Sequence, residues 1–233
     1  RETSADVGYN VIIGHEAGER LTNGDDNVAI GNSAGKGLTN AGNCVAVGEK
    51  ALEVANQDGN TAVGYRAGQA QSSGENNTYI GKQAGLGNTA GSNTTIIGNS
   101  ATSSSTTVSN EFTLGNSSIS SLRCNTQTIS SLSDGRDKTE VEDLPLGLNF
   151  IDTLRPVKFK WDTRDGNGKD GSFEAGFIAQ DLQSAQSTSN ADYLKMVMDE
   201  NPDRLEAAYG QLIPVLVQAI KDLSTQVKQL QTA

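Results

Sequence analysis

The sequence predicts two unlike parts. The first is an N-terminal all-β parallel β-roll or β-helix made of repeats, and the second is a C-terminal α+β domain that ends in a long helix. Three observations support this prediction: a period near 17 residues up to about residue 115, no repeat after that point, and a heptad of aliphatic residues in the last segment. We therefore divide the chain into a seven-rung repeat segment at 1–115, a neck at 116–132 and a compact domain at 133–233.

One glycine in each unit defines the repeat. Successive marking glycines are 17, 17, 16, 17, 17 and 17 residues apart. They are Gly14, Gly31, Gly48, Gly64, Gly81, Gly98 and Gly115. An aliphatic residue precedes every one, and an alanine follows three residues after all but the last. Such recurrence is typical of a solenoid, in which a single unit cannot bury its own apolar face.

Each unit carries one short strand of about four residues, rich in β-branched side chains. Alternate strand positions share a face, so the residue before the glycine and its neighbour two back, such as Ile30 and Val28, are expected to point inward. The glycine permits a turn with positive φ, and the alanine lets backbones approach closely. Stacking of successive units would then bury the inward face continuously.

Two units show a resemblance to a known repeat. Asn27-Val28-Ala29-Ile30-Gly31 and Asn60-Thr61-Ala62-Val63-Gly64 resemble the head repeats of trimeric autotransporter adhesins, and related repeats occur in phage fibres. This resemblance implies a parallel β-roll built as a homotrimer. The residues alone leave a monomeric β-solenoid open, and they also leave open whether the neck is a narrow stalk or a flexible Ser/Thr linker.

Composition excludes several classes of function. The net charge of −10 offers no basic stripe to displace counterions from phosphates, so we expect no nucleic acid partner. Without a run of 18 apolar residues or a signal peptide, we expect no membrane insertion. Cys44 and Cys124 lie far apart, and His15 is the single histidine, so neither a metal site nor another cofactor is expected.

The second part reads as α+β. A helix is predicted within 144–154, ended by Pro156. Val157 to Trp161 alternates as a strand, 162–172 reads as a turn, and Phe173 to Ala179 returns as the second strand of a hairpin.

The last segment predicts a coiled-coil helix. Its apolar residues are spaced 3, 4, 3, 4 and 3, which puts isoleucine or valine at the a positions and leucine at the d positions. The predicted seam comprises Ile213, Leu216, Ile220, Leu223, Val227 and Leu230. β-Branched a residues with leucine at d favour a parallel dimer, whereas the repeat half favours a trimer, and we expect the trimer. The alternative is an amphipathic helix that packs on its own domain.

A second and more extensive resemblance rests on four ordered blocks. They are Ser133-Asp134-Gly135-Arg136-Asp137-Lys138, Leu154-Arg155-Pro156-Val157-Lys158-Phe159, Gly176-Phe177-Ile178-Ala179-Gln180-Asp181, and Leu212-Ile213-Pro214-Val215-Leu216 with Ala219-Ile220. Over residues 133 to about 225 the chain resembles the intramolecular chaperone domain of endosialidase-type phage tail proteins. That self-cleaving peptidase domain also occurs in neck appendages, tail fibres and myelin regulatory factor.

The resemblance implies a domain that trimerises, helps a β-structured fibre to fold, and then cuts itself off. Carried onto this sequence, Ser133 is the nucleophile, Lys138 the general base and Leu132–Ser133 the scissile bond, with Asp134 and Arg136 as supporting candidates. Asp137 stands where the family usually has an apolar residue, Asp181 stands where it usually has Glu, and 184–204 does not match well.

The chemistry of a Ser–Lys pair sets a condition. A lysine accepts the serine proton only when it is neutral, and removal from water favours the neutral form. We expect packing in a trimer to remove Lys138 from water, which would couple cleavage to assembly. The carboxylates of Asp134 and Asp137 would favour the charged form of Lys138, so we expect them to point away from it. Arg136 either orients a carbonyl group or pairs with one of these acids. Without the four-block resemblance, a turn serine beside a surface lysine would explain the same residues.

These observations favour a phage tail fibre or tailspike-type fragment, assembled in the host cytoplasm and resident in the virion. A host-cell surface receptor or glycan is a further candidate partner. The alternative is a trimeric surface adhesin head with a purely structural trimerisation domain and no cleavage. A glycan-degrading tail enzyme ranks third, because it needs paired carboxylates in a cleft and the repeats place none at a recurrent position.

Overall fold

The computed structural model describes residues 8–119, 121–125, 129–162 and 171–232. The chain divides into two compact units, residues 1–121 and 122–233. None of the helices among the described residues is both long enough and apolar enough to cross a membrane.

Seven parallel strands of three residues each form the first unit. They pair in sequence order, so the chain winds as a parallel β-solenoid of about six turns, which confirms the predicted fold class. The strands are β1 (Val11–Ile13), β2 (Val28–Ile30), β3 (Val45–Val47), β4 (Thr61–Val63), β5 (Thr78–Ile80), β6 (Thr95–Ile97) and β7 (Phe112–Leu114). Equivalent residues stand opposite each other, as Val28 does to Val45 and Ile30 to Val47.

The interior of the solenoid is lined by the central residue of each strand. Ala29, Ala46, Ala62, Tyr79 and Ile96 are completely buried, whereas the aliphatic residues on either side of them are only partly covered. The expectation that the flanking pair points inward is therefore wrong. That pair does share a face, but the face is the outer one.

The narrow cross-section of each turn explains this arrangement. The returning chain passes so close to the strand that a Cβ built on Gly35 would lie 3.2 Å from the Cβ of Ala29. Three of the seven central strand positions, Ala29, Ala46 and Ala62, accordingly hold alanine. Where the larger Tyr79 occupies one, glycines face its ring: a Cβ on Gly85 would lie 2.3 Å from it.

The alanines three residues after the glycines are buried as well, as expected for positions of close backbone approach. They are Ala17, Ala34, Ala51, Ala67, Ala84 and Ala101.

Buried asparagines satisfy the backbone where each strand begins. Asn27 accepts a hydrogen bond from the Cys44 amide on the next turn at 3.0 Å and donates from Nδ2 to the Ala41 carbonyl at 2.8 Å. Asn60 accepts in the same way from the Asn77 amide. Since unpaired buried backbone groups are costly, the recurrent asparagine stabilises the stacking of turns.

The second unit mixes helices with two short hairpins. Its elements are α1 (Leu148–Ile151), β8 (Val157–Phe159), β9 (Glu174–Gly176), α2 (Ala179–Thr188), β10 (Val197–Met198), β11 (Glu206–Ala207) and α3 (Leu212–Thr232). β8 and β9 pair antiparallel, so the predicted hairpin is confirmed, although residues 163–170 of its predicted turn lie outside the described residues.

Three predicted elements are shorter than the sequence suggested, and one of them is the strand predicted over Val157 to Trp161, which ends at Phe159. The helix predicted within 144–154 is a single turn, because it begins after Gly147 and its chain leaves the helix before Pro156. The strand predicted to reach Ala179 ends at Gly176, because Ala179 starts α2, which the sequence analysis did not predict.

A compact apolar core joins α1, α2 and α3. Phe150, Leu182, Leu212 and Val215 are buried in it. The Asp222 carboxylate on α3 accepts a hydrogen bond from the Leu148 amide at 3.0 Å and so satisfies the start of α1. The first turns of α3 are thereby fixed to their own domain.

A prediction follows from the close approach of successive turns. Gly64 has φ of +134°, and a Cβ there would lie 2.5 Å from the Gly81 carbonyl oxygen. We expect Gly64→Ala to destabilise the solenoid by more than about 2 kcal/mol. That corresponds to a fall of roughly 4–8 °C in the thermal midpoint followed by circular dichroism. The control is Gly87→Ala, where an added Cβ meets nothing within 4 Å. Equal midpoints for the two variants would contradict the prediction.

Candidate functional site

The residues singled out for chemistry lie on an exposed segment of the second unit. All residues from 129 to 143 are solvent-exposed, and one 3-10 helix, Gly135–Asp137, shapes the segment. Asp134 precedes this helix in an extended conformation, and its side chain accepts a hydrogen bond from the Arg136 amide at 2.9 Å. Aspartate is a favoured residue at this capping position, so the local sequence explains the turn.

The turn brings Ser133 and Lys138 together. Lys138 leaves the 3-10 helix in extended backbone, with its amide bonded to the Gly135 carbonyl. Its Nζ donates a hydrogen bond of 2.7 Å to the Ser133 Oγ. A serine hydroxyl within hydrogen-bond reach of a basic nitrogen is the arrangement from which base-activated nucleophiles act.

Arg136 and Asp134 form an ion pair beside the dyad. Arg136 Nη2 lies 2.6 Å from Asp134 Oδ2, and Arg136 Nε lies 3.1 Å from Oδ1. Hydrogen bonds from the Arg136 side chain, and then from its amide, hold the pKa of the Asp134 carboxyl below its ordinary value. The carboxylate therefore remains charged at neutral pH, and it is turned toward Arg136.

Solvent exposure determines what this site can do in a single chain. Leu132 is fully exposed, so the Leu132–Ser133 peptide bond is accessible. Lys138 is also exposed, and an aqueous environment favours the charged form of an amine. The described residues of one chain thus provide the contact between hydroxyl and amine, but they provide no apolar cover for it.

The predicted coiled-coil face is exposed as well. All six seam residues have between 44% and 79% of their surface exposed. They are Ile213, Leu216, Ile220, Leu223, Val227 and Leu230. The helix packs on its own domain through a different face, where Leu212, Val215 and Ala219 are buried. The helix thus packs on its own domain, as the alternative stated, but through this second face, and the heptad face is left uncovered in the described chain.

An ion pair joins two of the sequence blocks that carried the resemblance. Arg155 Nη2 lies 2.7 Å from Asp181 Oδ2, linking the chain before β8 to the first turn of α2. The sequence analysis assigned no partner to either residue. It also missed Asp222, whose role depends on a contact 74 positions away along the chain. The opposite charges of Arg155 and Asp181 in the sequence blocks were the only signal for their ion pair. No local signal indicated the bond between Asp222 and the Leu148 amide.

Comparison with known protein families assigns the second unit. Residues 133–190 match the family labelled peptidase S74 and described as chaperone of endosialidase. The matched segment begins at Ser133, contains Lys138 and the β8–β9 hairpin, and includes all of α2. No curated protein and no solved structure gives a significant match. Residues 133–190 therefore fit the endosialidase-type chaperone domain that the sequence resemblance indicated.

Proposed function

We propose that this chain is a phage tail fibre or tailspike-type fragment whose C-terminal domain directs trimeric folding of the β-solenoid and then releases itself. The release is a single self-cleavage between Leu132 and Ser133. The 2.7 Å hydrogen bond between Lys138 Nζ and Ser133 Oγ, at the first residue of the family match, carries this proposal. The family's peptidase label supports a self-cleaving domain, and the Ser–Lys assignment is ours.

The proposed cleavage has two steps, formation of an ester and its hydrolysis. Neutral Lys138 accepts the Oγ proton of Ser133 while Oγ attacks the carbonyl carbon of Leu132. The bond between the Leu132 carbonyl carbon and the Ser133 nitrogen breaks, and Lys138 returns the proton to that nitrogen. Water then hydrolyses the resulting ester, which leaves a carboxylate on Leu132 and restores the Ser133 hydroxyl. No cofactor enters these steps.

Two apolar surfaces support self-association of the chain. One is the exposed seam of α3, and the other is the outer face of β1–β7, where Ile13, Val63, Ile80 and Leu114 are 38–58% exposed. Contiguous apolar surfaces of this kind usually mark interaction sites. The register of the solenoid aligns the second surface in continuous columns, so identical chains would meet it rung for rung. We assign both surfaces to a homotrimer.

The trimer would also supply what the dyad lacks. Packing three copies along α3 and the solenoid would bring other chains near the exposed segment and remove Lys138 from water. Cleavage would then require assembly, and the chaperone would leave only a completed fibre. The released solenoid would reside in the virion, where it meets a host-cell receptor or glycan.

The first prediction concerns cleavage. The purified full chain should separate under denaturing conditions into residues 1–132 and 133–233, identified by intact mass. Ser133→Ala and Lys138→Ala should each slow cleavage by at least about a thousandfold, because each removes one member of the dyad. Lys228→Ala, at another exposed lysine, should cleave normally. If Lys138→Ala cleaved at the natural rate, lysine would not be the base. If the unmodified chain stayed uncleaved, the alternative function, a surface adhesin head with a purely structural trimerisation domain, would be favoured.

The second prediction concerns assembly. Light scattering of the full chain should give the mass of a trimer. Joint replacement of Leu216 and Leu223 by Asp should weaken the trimer by several kcal/mol, because it would bury unpaired charge in the seam. Thr225→Asp with Gln229→Asp adds the same charge to exposed positions outside the a/d face and should leave the mass unchanged. A monodisperse monomer of the unmodified chain would contradict the assignment.

The third prediction concerns the order of folding. Rungs with alanine interiors bury little apolar surface, so aligning three chains before stacking is entropically costly. A domain that trimerises first raises the local chain concentration and sets the register. Residues 1–132 expressed alone should therefore misassemble, whereas the same residues released by self-cleavage should stay trimeric on heating. Equal solubility and equal heat resistance of the two preparations would make the second unit a passive cap.

A further inference from the structure

The acid–base pair beside the dyad has a geometry that suits a specific task. Asp134 uses both carboxylate oxygens on one residue: Oδ1 accepts from the Arg136 amide at 2.9 Å, and Oδ2 accepts from Nη2 at 2.6 Å. Among the described residues, the side-chain hydrogen bond of Lys138 goes to Ser133, and no carboxylate pairs with it. The Asp134 carboxylate, next to Ser133, is thus bonded to Arg136 and not to Lys138.

We propose that Asp134 and Arg136 form a positioning pair for the dyad, in which Asp134 closes the turn that joins Ser133 to Lys138 and Arg136 occupies the carboxylate that would otherwise hold Lys138 charged. This inference rests on the proposed self-cleavage. It assigns to both residues a role that acts through the dyad and not on the scissile bond.

The first half of the role is geometric. Ser133 and Lys138 are five positions apart, and their side chains meet because residues 135–137 turn as a 3-10 helix. That helix spans one turn, so its capping bond from Asp134 represents a large share of its stabilisation. Asparagine caps as well as aspartate, whereas alanine does not. Asp134→Asn should therefore keep the turn, and Asp134→Ala should lose it.

The second half of the role is electrostatic. The charged residues that share the exposed segment 129–143 with Lys138 are Asp134, Arg136, Asp137, Glu140, Glu142 and Asp143. Asp134 and Arg136 are the two that form an ion pair with each other beside the dyad. A free carboxylate near an ammonium favours the charged form, and a nearby guanidinium disfavours it. Because a paired Asp134 and Arg136 nearly cancel, the pair leaves Lys138 free to lose its proton when assembly covers it.

Two single variants should therefore move the pH dependence in opposite directions. Arg136→Gln releases the Asp134 carboxylate and removes a cation, so the neutral amine and hence cleavage should require higher pH. Asp134→Asn removes the anion and leaves Arg136 unpaired, so cleavage should begin at lower pH. We expect the two shifts to be opposite in direction, and small because the charges are exposed. The double variant should return close to the natural profile.

The experiment uses the full chain, isolated uncut under denaturing conditions and refolded in buffers from mildly acidic to mildly alkaline. Cleavage rate is normalised to the amount of trimer formed at each pH. Glu142→Gln, which removes one charge from the same exposed segment, is the matched control and should not move the profile. Asp134→Ala should lower the maximal rate, while Asp134→Asn should keep it.

Opposite shifts with recovery in the double variant support the positioning pair. If both single variants lowered the rate without moving the profile, or moved it in the same direction, the role would be structural only and the inference would be overturned.

A second measurement does not depend on self-cleavage. Each variant is placed on a Ser133→Ala background, and reductive methylation of Lys138 is mapped by mass spectrometry against pH.

Methylation requires the neutral amine, so it should begin at lower pH in Asp134→Asn and at higher pH in Arg136→Gln. Unchanged labelling would overturn the inference. Loss of self-cleavage in the unmodified chain, with the two labelling shifts intact, would overturn the proposed function and leave only the effect of Asp134 and Arg136 on the Lys138 amine.

Discussion

The narrow interior of each solenoid turn is the constraint on which the rest of this chain depends. The returning chain of each turn runs close to the strand, so alanine fills three of the seven strand centres and glycines face the ring of Tyr79 at another. The aliphatic residues that flank the strand centres lie on the outside. A chain built this way buries little apolar surface per turn and presents apolar columns to solvent.

That constraint gives a reason for a folding domain. Outer apolar columns are stabilised when copies of the chain cover them, but short strands in equivalent registers offer many wrong alignments. We propose that a domain that trimerises first selects the correct alignment. The second unit has its own core around Phe150, Leu182 and Val215, and it keeps the heptad face of α3 outside that core. The second unit can thus fold before the solenoid does and still present the heptad face of α3 for association.

The exposed segment at 129–143 connects assembly with chemistry. Ser133 and Lys138 already touch in one chain, so little rearrangement of the dyad is needed for reaction. In the proposed trimer it is their environment that changes, because water keeps an amine charged and a covering surface does not. In the proposed mechanism the switch is therefore solvation of the base, and Asp134 with Arg136 keeps local charge from overriding it.

The sequence by itself determined the period, the parallel solenoid and the heptad helix, because repeats and apolar spacing are local properties of the chain. It also identified the chaperone family and placed Ser133 and Lys138 at a spacing that one turn can close. Tertiary structure decided which face of each strand is buried, because only the path of the returning backbone reveals that it covers the face of Ala29 and leaves the face of Ile30 partly exposed. It also decided that α3 packs through Leu212, Val215 and Ala219, since an amphipathic pattern does not say which of two apolar stripes meets α1. Long-range pairs such as Asp222 with the Leu148 amide have no local signature, so they became visible only in the fold.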